Sequence, residues 1–202
     1  MAITKNELKV RITFLDEVLG TASADPNVHS EYIASKSPDA ATLAEEVEAV
    51  GVEEVIEKSM TVFPRDADGT PIFFDYQWRG YFKEACSGLR KVKGSASEKL
   101  KAFKKEIDLT IFIKERKIPI MLNGVMGDCQ RPLRADTAQG PRVALAHSET
   151  VPAGSTCEFT IQYLVPEDVK YIKEWLDYGE LHGTGQWRNS GKGRFTWEEI
   201  SD

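Results

Sequence analysis

Apolar and polar residues alternate along several short segments of the chain, and a period of two is typical of a half-buried strand. The alternation is clearest over residues 8–14. We predict further strands at 107–113, 117–122, 142–147, 156–164 and 193–200. Segments 60–63 and 71–74 flank Asp68-Gly69, a turn signal that predicts a short hairpin. Residues 123–142 are rich in glycine and proline, which predicts a long loop, and loops of that length are usually functional or mobile.

Apolar residues three and four apart predict a long helix after Asp75, which we expect to cap it. The buried positions of that helix are Trp78, Phe82, Ala85, Leu89 and Val92. A second, basic helix is predicted over 97–105, and a last helix opens at Pro166 and ends at Gly179. Trp78 and Trp175 occupy buried helical positions, so we predict that both belong to the core.

The chain of 202 residues is large enough for one hydrophobic core. Hydrophobic residues make up 41% of it, and it has no internal repeat or low-complexity linker, which predicts a single domain over 1–202. Within that domain the acidic, alanine-rich segment 35–58 is predicted to be a helical insertion, introduced by Ser37-Pro38.

The targeting signals and the cysteines of the sequence bear on its cellular location. The sequence has no apolar run of about 18 residues, and its N-terminus lacks the apolar stretch of a signal peptide. Cys86, Cys129 and Cys157 form no Cys-x-x-Cys pair, so neither a zinc site nor a disulfide framework is indicated. We expect a protein of a reducing cytoplasm, without membrane contact, metal or cofactor.

The net charge of −6 argues against a nucleic-acid partner, but it hides a strong asymmetry. Residues 1–78 hold 6 basic and 15 acidic side chains, whereas residues 79–117 hold 12 basic and 5 acidic ones. A second cationic stretch lies near the C-terminus, where three basic residues precede any acid after His182. The chain therefore predicts one acidic and one basic surface. A solvated face is the commoner meaning of such a charge block.

The most informative motif is the glycine-rich segment 182–195, which has four glycines within eleven residues. Glycines let a backbone approach a ligand and expose N–H donors. Arg188, Lys192 and Arg194 add charge suited to phosphate, and Trp187 offers a stacking face. The segment is not a Walker A loop, because Gly193 follows Lys192 where that motif needs Ser or Thr. It also joins a helix to a strand, which is the reverse of a dinucleotide fingerprint. An ordinary glycine-rich connection remains the alternative.

Three segments together resemble the RAMP superfamily, the RNA-binding proteins of CRISPR-associated complexes. They are 70–85, which leads into the first helix, 142–159, and the glycine-rich segment 183–195. The chain is also similar to proteins encoded by bacteriophages and prophages of Gram-positive bacteria, which suggests a stand-alone form. Segment 35–58 departs from the family pattern.

The resemblance implies an α+β, ferredoxin-like (RRM-type) antiparallel sheet with helices on one face. In such a fold the glycine-rich segment lies beside the sheet, and the basic first helix would line the same cleft. RNA or another phosphate-rich nucleotide ligand would bind there. The expected binding residues are Arg79, Lys83, Arg90, Lys91, Gly183, Gly185, Trp187, Arg188, Gly191, Lys192, Gly193 and Arg194.

Catalytic candidates are weak. His182 adjoins the glycine-rich segment and suits a general base for RNA cleavage, although a histidine at a helix end is more often structural. The resemblance makes Asp25 a second candidate, since some RAMP proteins carry a cleaving aspartate in that loop. Asp66 and Asp68 are explained better by turn chemistry than by a metal, and Asp128 with Asp136 is no stronger as a metal pair.

Three functional hypotheses follow. The first is a non-catalytic RAMP-like protein that binds RNA or a nucleotide. The second is a metal-independent endoribonuclease that uses His182. The third is an interaction protein, such as an inhibitor of a host-defence complex, whose acidic N-terminal half contacts a protein partner or a second copy.

Overall fold

Within residues 3–24, 60–137 and 140–201, which it describes, the computed structural model contains eleven strands and three α-helices. The strands are β1 (Asn6–Phe14), β2 (Val18–Leu19), β3 (Ala22–Ser23), β4 (Met60–Val62), β5 (Ile72–Phe74), β6 (Ile111–Ile113), β7 (Lys117–Met121), β8 (Gly127–Thr137), β9 (Gly140–Val151), β10 (Thr156–Tyr163) and β11 (Phe195–Glu199). The helices are α1 (Asp75–Leu89), α2 (Phe103–Thr110) and α3 (Val169–Asp177), and 3-10 turns span Ala96–Lys99, Pro166–Asp168, Tyr178–Glu180 and Arg188–Ser190. The predicted insertion at 35–58 and Asp25 lie outside the described residues.

The main sheet has the strand order β11-β1-β10-β7-β5, and β6 also pairs with β10. β1 is antiparallel to both β10 and β11, so β10 and β11 are parallel and α3 makes the crossover between them. Along the chain, β1, α1 and β6–β7 form a first strand-helix-strand unit, and β10, α3 and β11 form a second. This is the ferredoxin-like arrangement, and the predicted fold class is confirmed.

The core lies between this sheet and the helices. Every second residue of β1 faces inward, and its inward-facing side chains Leu8, Val10, Ile12 and Phe14 are at most 3% exposed. The Trp78 ring of α1 packs 4.6 Å from Phe159 and 5.5 Å from Phe195, between centroids. Trp175 is 1% exposed, and its Nε1–H donates to Ser97 Oγ at 2.9 Å. Both tryptophans are core residues, as predicted.

A second sheet has the order β2-β9-β4-β3, and β8 pairs with β9 along its whole length. The loop predicted over 123–142 is therefore wrong, because most of it belongs to a long antiparallel hairpin. The glycines and prolines that suggested a loop are compatible with this hairpin. In the described part of the chain β8 pairs only with β9, and an edge strand tolerates a proline such as Pro132.

Three local predictions also need correction. Residues 107–110 complete α2 instead of starting a strand, because apolar residues four apart, Ile107 and Ile111, fit a helical turn as well. The predicted helix at 97–105 is a 3-10 turn followed by the start of α2. Asp75 is not the cap of α1. Phe74 is, and its N–H donates to Gln77 Oε1 at 2.7 Å.

The turn at Asp66 is confirmed, because Thr70 N–H donates to Asp66 Oδ1 at 2.8 Å. The two sides of the turn pair over a short hairpin, in which Ile72 N–H donates to Pro64 O at 2.8 Å and Arg65 lies opposite Pro71. Beyond it the predicted strands separate, since β4 joins the second sheet and β5 the main sheet. The turn chemistry accounts for Asp66, as predicted.

The sheet face opposite the helices carries ion pairs. Arg11 on β1 lies 2.8 Å from Glu158 on β10 and 2.9 Å from Glu198 on β11. Beside them, Thr160 N–H donates to Glu115 at 2.7 Å. The charge of Arg11 is therefore compensated by carboxylates on the two neighbouring strands.

Candidate nucleic-acid interface

The segment 182–194, here called the glycine loop, connects the turn after α3 to β11. Its two ends lie against each other, and Thr184 N–H donates to Gly193 O at 2.8 Å. A Cβ on Gly193 would stand 1.9 Å from Thr184 O, and one on Gly183 would stand 2.5 Å from the Gly193 carbonyl carbon. The φ angles of both glycines are also positive, 73° at Gly183 and 71° at Gly193. The packing of the loop on itself therefore requires Gly183 and Gly193.

The glycine loop is also fixed on residues 17–19, at the start of β2. Gly193 N–H donates to Glu17 O at 2.9 Å, and Gln186 N–H reaches Leu19 O at 3.5 Å. A Cβ on Gly185 would stand 2.9 Å from Leu19 O. The loop is thus held at both its ends and its centre, and its exposed groups have defined positions.

Each of the three predicted loop cations is paired with a carboxylate. Arg194 Nε lies 2.7 Å from Asp16, Arg188 Nη2 lies 3.0 Å from Glu84, and Lys192 pairs with Glu17. All three cations are exposed by a quarter or more, so each pair contributes at most about 1 kcal/mol to stability. The cationic character expected from the sequence is therefore balanced locally at these positions.

Two adjoining cavities, of about 280 and 420 Å³, separate α1 from the glycine loop. They share Thr21, Glu84, Gly185 and Arg188, so they form one continuous groove. The first cavity is lined further by Phe73, Tyr76, Gln77, Gly80, Tyr81 and Thr184. The second is lined further by Arg131, His182, Gln186, Trp187 and Asn189. We call this the groove.

Three consecutive residues of the glycine loop that line the groove, Trp187, Arg188 and Asn189, have a distinctive backbone conformation. Trp187 has left-handed backbone angles, φ 58° and ψ 33°, and the right-handed turn Arg188–Ser190 follows it. A left-handed residue followed by a right-handed one points successive N–H groups to one side, which is an anion-binding geometry. Within the described residues, the N–H groups of Trp187, Arg188 and Asn189 donate to no protein acceptor. They are available to an anionic ligand.

Arg131 on β8 is a groove residue that the sequence analysis missed. Its guanidinium carbon lies 4.7 Å from the centroid of the Trp187 ring, and Nη2 donates to Gln186 Oε1 at 3.3 Å. Nε and Nη1 have no hydrogen-bond partner, and among the described residues no carboxylate pairs with this side chain. Arg131 therefore brings uncompensated positive charge to the groove beside a tryptophan that is 36% exposed.

The basic residues of α1 do not line the groove, which corrects the expectation of a shared cleft. The groove side of the helix carries Gln77, Gly80 and Glu84. At about 100° per residue, Arg79 and Lys83 project well to one side of the mean direction of these three residues. The predicted cations contact other parts of the protein or solvent: Arg79 lies 3.5 Å from Asp75, Lys83 lies 2.5 Å from Asp108 on α2, Arg90 lies over the Phe103 ring at 5.1 Å, and Lys91 is exposed.

His182 lines the groove, as its place beside the glycine loop suggested. Its Nε2 lies 2.9 Å from Glu84 Oε1, and its ring stacks on Tyr178 with centroids 5.4 Å apart. Deeper in the groove wall, burial raises the pKa of the Tyr81 phenol, whose O–H donates to Trp175 O at 2.8 Å. The phenol is thus a neutral structural donor.

Other candidate sites gain no support among the described residues. No group of three or more His, Cys, Asp or Glu side chains there could hold a metal ion. Asp128 pairs with His147 of β9 at 2.6 Å. No helix in this part of the chain is long and apolar enough to cross a membrane.

Comparison with known proteins concerns the fold. No family model and no curated protein matches the sequence. Among solved structures, the chain is similar to one from the type III-B Cmr-beta complex bound to cognate target RNA, solved by cryo-electron microscopy. The TM-score is 0.54 at 13% identity, and the match covers 98% of this chain and 60% of that one. The fold is RAMP-like.

A second similar structure is a chain of a type IV-B CRISPR complex, with a TM-score of 0.46 and 12% identity. That match covers 97% of this chain and 91% of the other. The chain thus spans 60% of the length of the Cmr-beta chain, and identity at this level is informative about architecture alone.

Proposed function

We propose that this RAMP-like chain binds single-stranded RNA in the groove between α1 and the glycine loop. The observation that carries the proposal is the combination found at one end of the groove. Three loop N–H donors, the uncompensated guanidinium of Arg131 and the exposed ring of Trp187 lie together there. The N–H groups and the guanidinium can donate to phosphate oxygens, and a base can stack on the ring.

The physical argument follows how single strands are usually bound. Their phosphates need cations or N–H donors, and their unstacked bases gain roughly 1–3 kcal/mol each on aromatic side chains. Arg131 lies against one face of the Trp187 ring, and the side chain is 36% exposed, so a base would stack on the other face. RNA is preferred as the ligand because the structurally similar Cmr-beta complex was solved with target RNA.

Gly80 offers independent support. It lies inside α1, where glycine costs about 0.5–1 kcal/mol relative to alanine. A Cβ at this position would meet no atom within 4 Å, so packing within the protein does not require glycine there. The position lines the groove, and a small residue keeps that space open for a ligand.

The basic side chains of α1 have a different role in this proposal. Because Arg79, Lys83, Arg90 and Lys91 lie away from the groove, they act at a distance by raising the concentration of an anionic ligand near the surface. Their contribution should therefore fall steeply with added salt.

The test is fluorescence anisotropy of a labelled single-stranded RNA with wild-type protein, Trp187→Ala and Arg11→Ala. Arg11 is the matched control, since it is an exposed cation on the far sheet face. Trp187→Ala should weaken binding about tenfold while Arg11→Ala changes little. Equal effects of the two variants would contradict a groove site.

A second candidate function is metal-independent RNA cleavage, favoured by the position of His182 in the groove beside Glu84. A histidine oriented by a carboxylate suits general-base attack by a ribose hydroxyl. Cleavage by the purified protein in EDTA, lost in His182→Ala, would establish it. If the RNA stays intact after prolonged incubation, the protein binds RNA without cleaving it.

A further inference from the structure

Glu84 is an unexpected residue for a groove that binds a polyanion. Its side chain is 41% exposed, and it lines both cavities. The other acids that pair with glycine-loop cations, Asp16 and Glu17, line neither cavity. One carboxylate therefore stands in the middle of the groove, where it repels phosphate.

The partners of Glu84 do not depend on it for their positions. Arg188 also donates to Gly185 O, which fixes its guanidinium within the glycine loop. His182 stacks on Tyr178, which fixes its ring. A purely structural role thus leaves the exposed part of this carboxylate unexplained.

The chemistry of a carboxylate limits what can bind beside it. It has about four lone-pair sites and no donor when ionised. Oε1 accepts from His182 at 2.9 Å, and Arg188 Nη2 lies 3.0 Å from both oxygens. A ligand group that binds to the remaining lone pairs must therefore be a hydrogen-bond donor, such as a hydroxyl group.

In a nucleotide the sugar lies between the base and the phosphate. In the groove Glu84 lines the same cavity as Trp187, which suits a base, and Asn189, whose N–H suits a phosphate. The group that a bound nucleotide would bring to Glu84 is therefore its ribose 2′-hydroxyl. We propose that Glu84 accepts a hydrogen bond from one ribose 2′-hydroxyl and makes the groove select RNA over DNA. This inference rests on the proposed function.

The first experiment compares RNA with DNA of the same sequence on wild-type protein, Glu84→Ala and Glu180→Ala. Glu180 is an exposed acid in the turn after α3, and it serves as the charge-matched control. Wild type and Glu180→Ala should bind RNA about tenfold more tightly than DNA, as expected for a hydrogen bond to a charged group. Glu84→Ala should bind both about equally.

A second measurement needs no variant. Wild-type protein is titrated with RNAs that carry a single 2′-fluoro substitution, which removes the donor and adds little bulk. Affinity should fall about tenfold at one or two positions and stay unchanged elsewhere. Tolerance at every position would overturn the proposal.

The outcomes separate the inference from the proposed function. If Glu84→Ala keeps the wild-type ratio of RNA to DNA affinity, or shifts both affinities equally, the role of Glu84 is wrong while the groove stands. If wild-type protein binds no RNA, or Trp187→Ala binds as wild type does, the proposed groove function itself fails.

Discussion

The guanidinium carbon of Arg131 lies 4.7 Å from the centroid of the Trp187 ring. Arg131 belongs to the β8–β9 hairpin of the second sheet, whereas Trp187 lies in the glycine loop that precedes β11 of the main sheet. The contact links the second sheet to the groove. It also supports a tryptophan in the left-handed region, which is costly for a residue with a Cβ. The hairpin thus contributes directly to the candidate site.

Replacing Arg131 with Met should weaken RNA binding and leave the protein at least as stable. Two guanidinium nitrogens of Arg131 are buried without a partner, and unsatisfied donors oppose folding. Methionine keeps a similar length and contact with the ring. We expect affinity about fivefold lower by anisotropy, with an unchanged or higher thermal midpoint. A lower midpoint with normal affinity would show that the contact serves the fold alone.

Changes at Gly80 should separate stability from binding. Alanine should stabilise α1 by about 0.5–1 kcal/mol, because its Cβ meets open space. Leucine should also be tolerated by the helix, but its side chain fills the groove. We expect both variants to unfold at higher urea concentrations and only Gly80→Leu to lose RNA. Full RNA binding by Gly80→Leu would place the ligand elsewhere.

The sequence predicted the framework of the fold because its strongest signals are local. Alternation in β1 and helical spacing in α1 each reflect one buried face, and both elements formed where expected, although α1 ends at Leu89 and the predicted core residue Val92 is 52% exposed. Residues 142–147 of β9 were predicted as a strand, but β8 was missed because it carries glycine and proline and owes its pairing to backbone hydrogen bonds. Such pairing leaves little apolar periodicity to detect.

The site was predictable only in part, for the same reason. The glycine loop stands out in the sequence, and the structure places Trp187 and Arg188 in the groove. No local signal reveals that Glu84 lines it or that Arg131 reaches it from β8. Those two depend on which helix face and which hairpin the tertiary structure brings to the loop.

Glycine substitutions should have unequal costs within the loop. At Gly193 an added Cβ would meet the backbone at Thr184 O, and positive φ adds strain, so alanine should cost about 3 kcal/mol. At Gly191 φ is +80° but the nearest atom is 3.9 Å away, so alanine should cost about 1 kcal/mol. Urea unfolding of the two variants measures the difference. Equal costs would contradict the close packing of the loop ends.

Cysteine reactivity should follow burial. Burial raises the pKa of the Cys86 thiol to about 11, and Cys157 is likewise fully buried with a raised pKa. Thiolates react and thiols do not, so neither should be alkylated at neutral pH in the native state. Cys129 is partly exposed and should react. Mass spectrometry after iodoacetamide treatment should show one modified cysteine in native protein and three after denaturation.

Salt dependence should report the phosphate contacts of the glycine loop. Binding to a single strand weakens with salt in proportion to the phosphates neutralised, with a slope of about −0.7 per contact. Substituting Arg188, Lys192 and Arg194 together by alanine should abolish tight binding and flatten the dependence that remains. Arg11→Ala again serves as the control, because that cation is also held by carboxylates but lies on the far face of the sheet. Unchanged affinity in the triple variant would show that these three side chains make no phosphate contact, whatever the loop N–H groups and the field of α1 contribute.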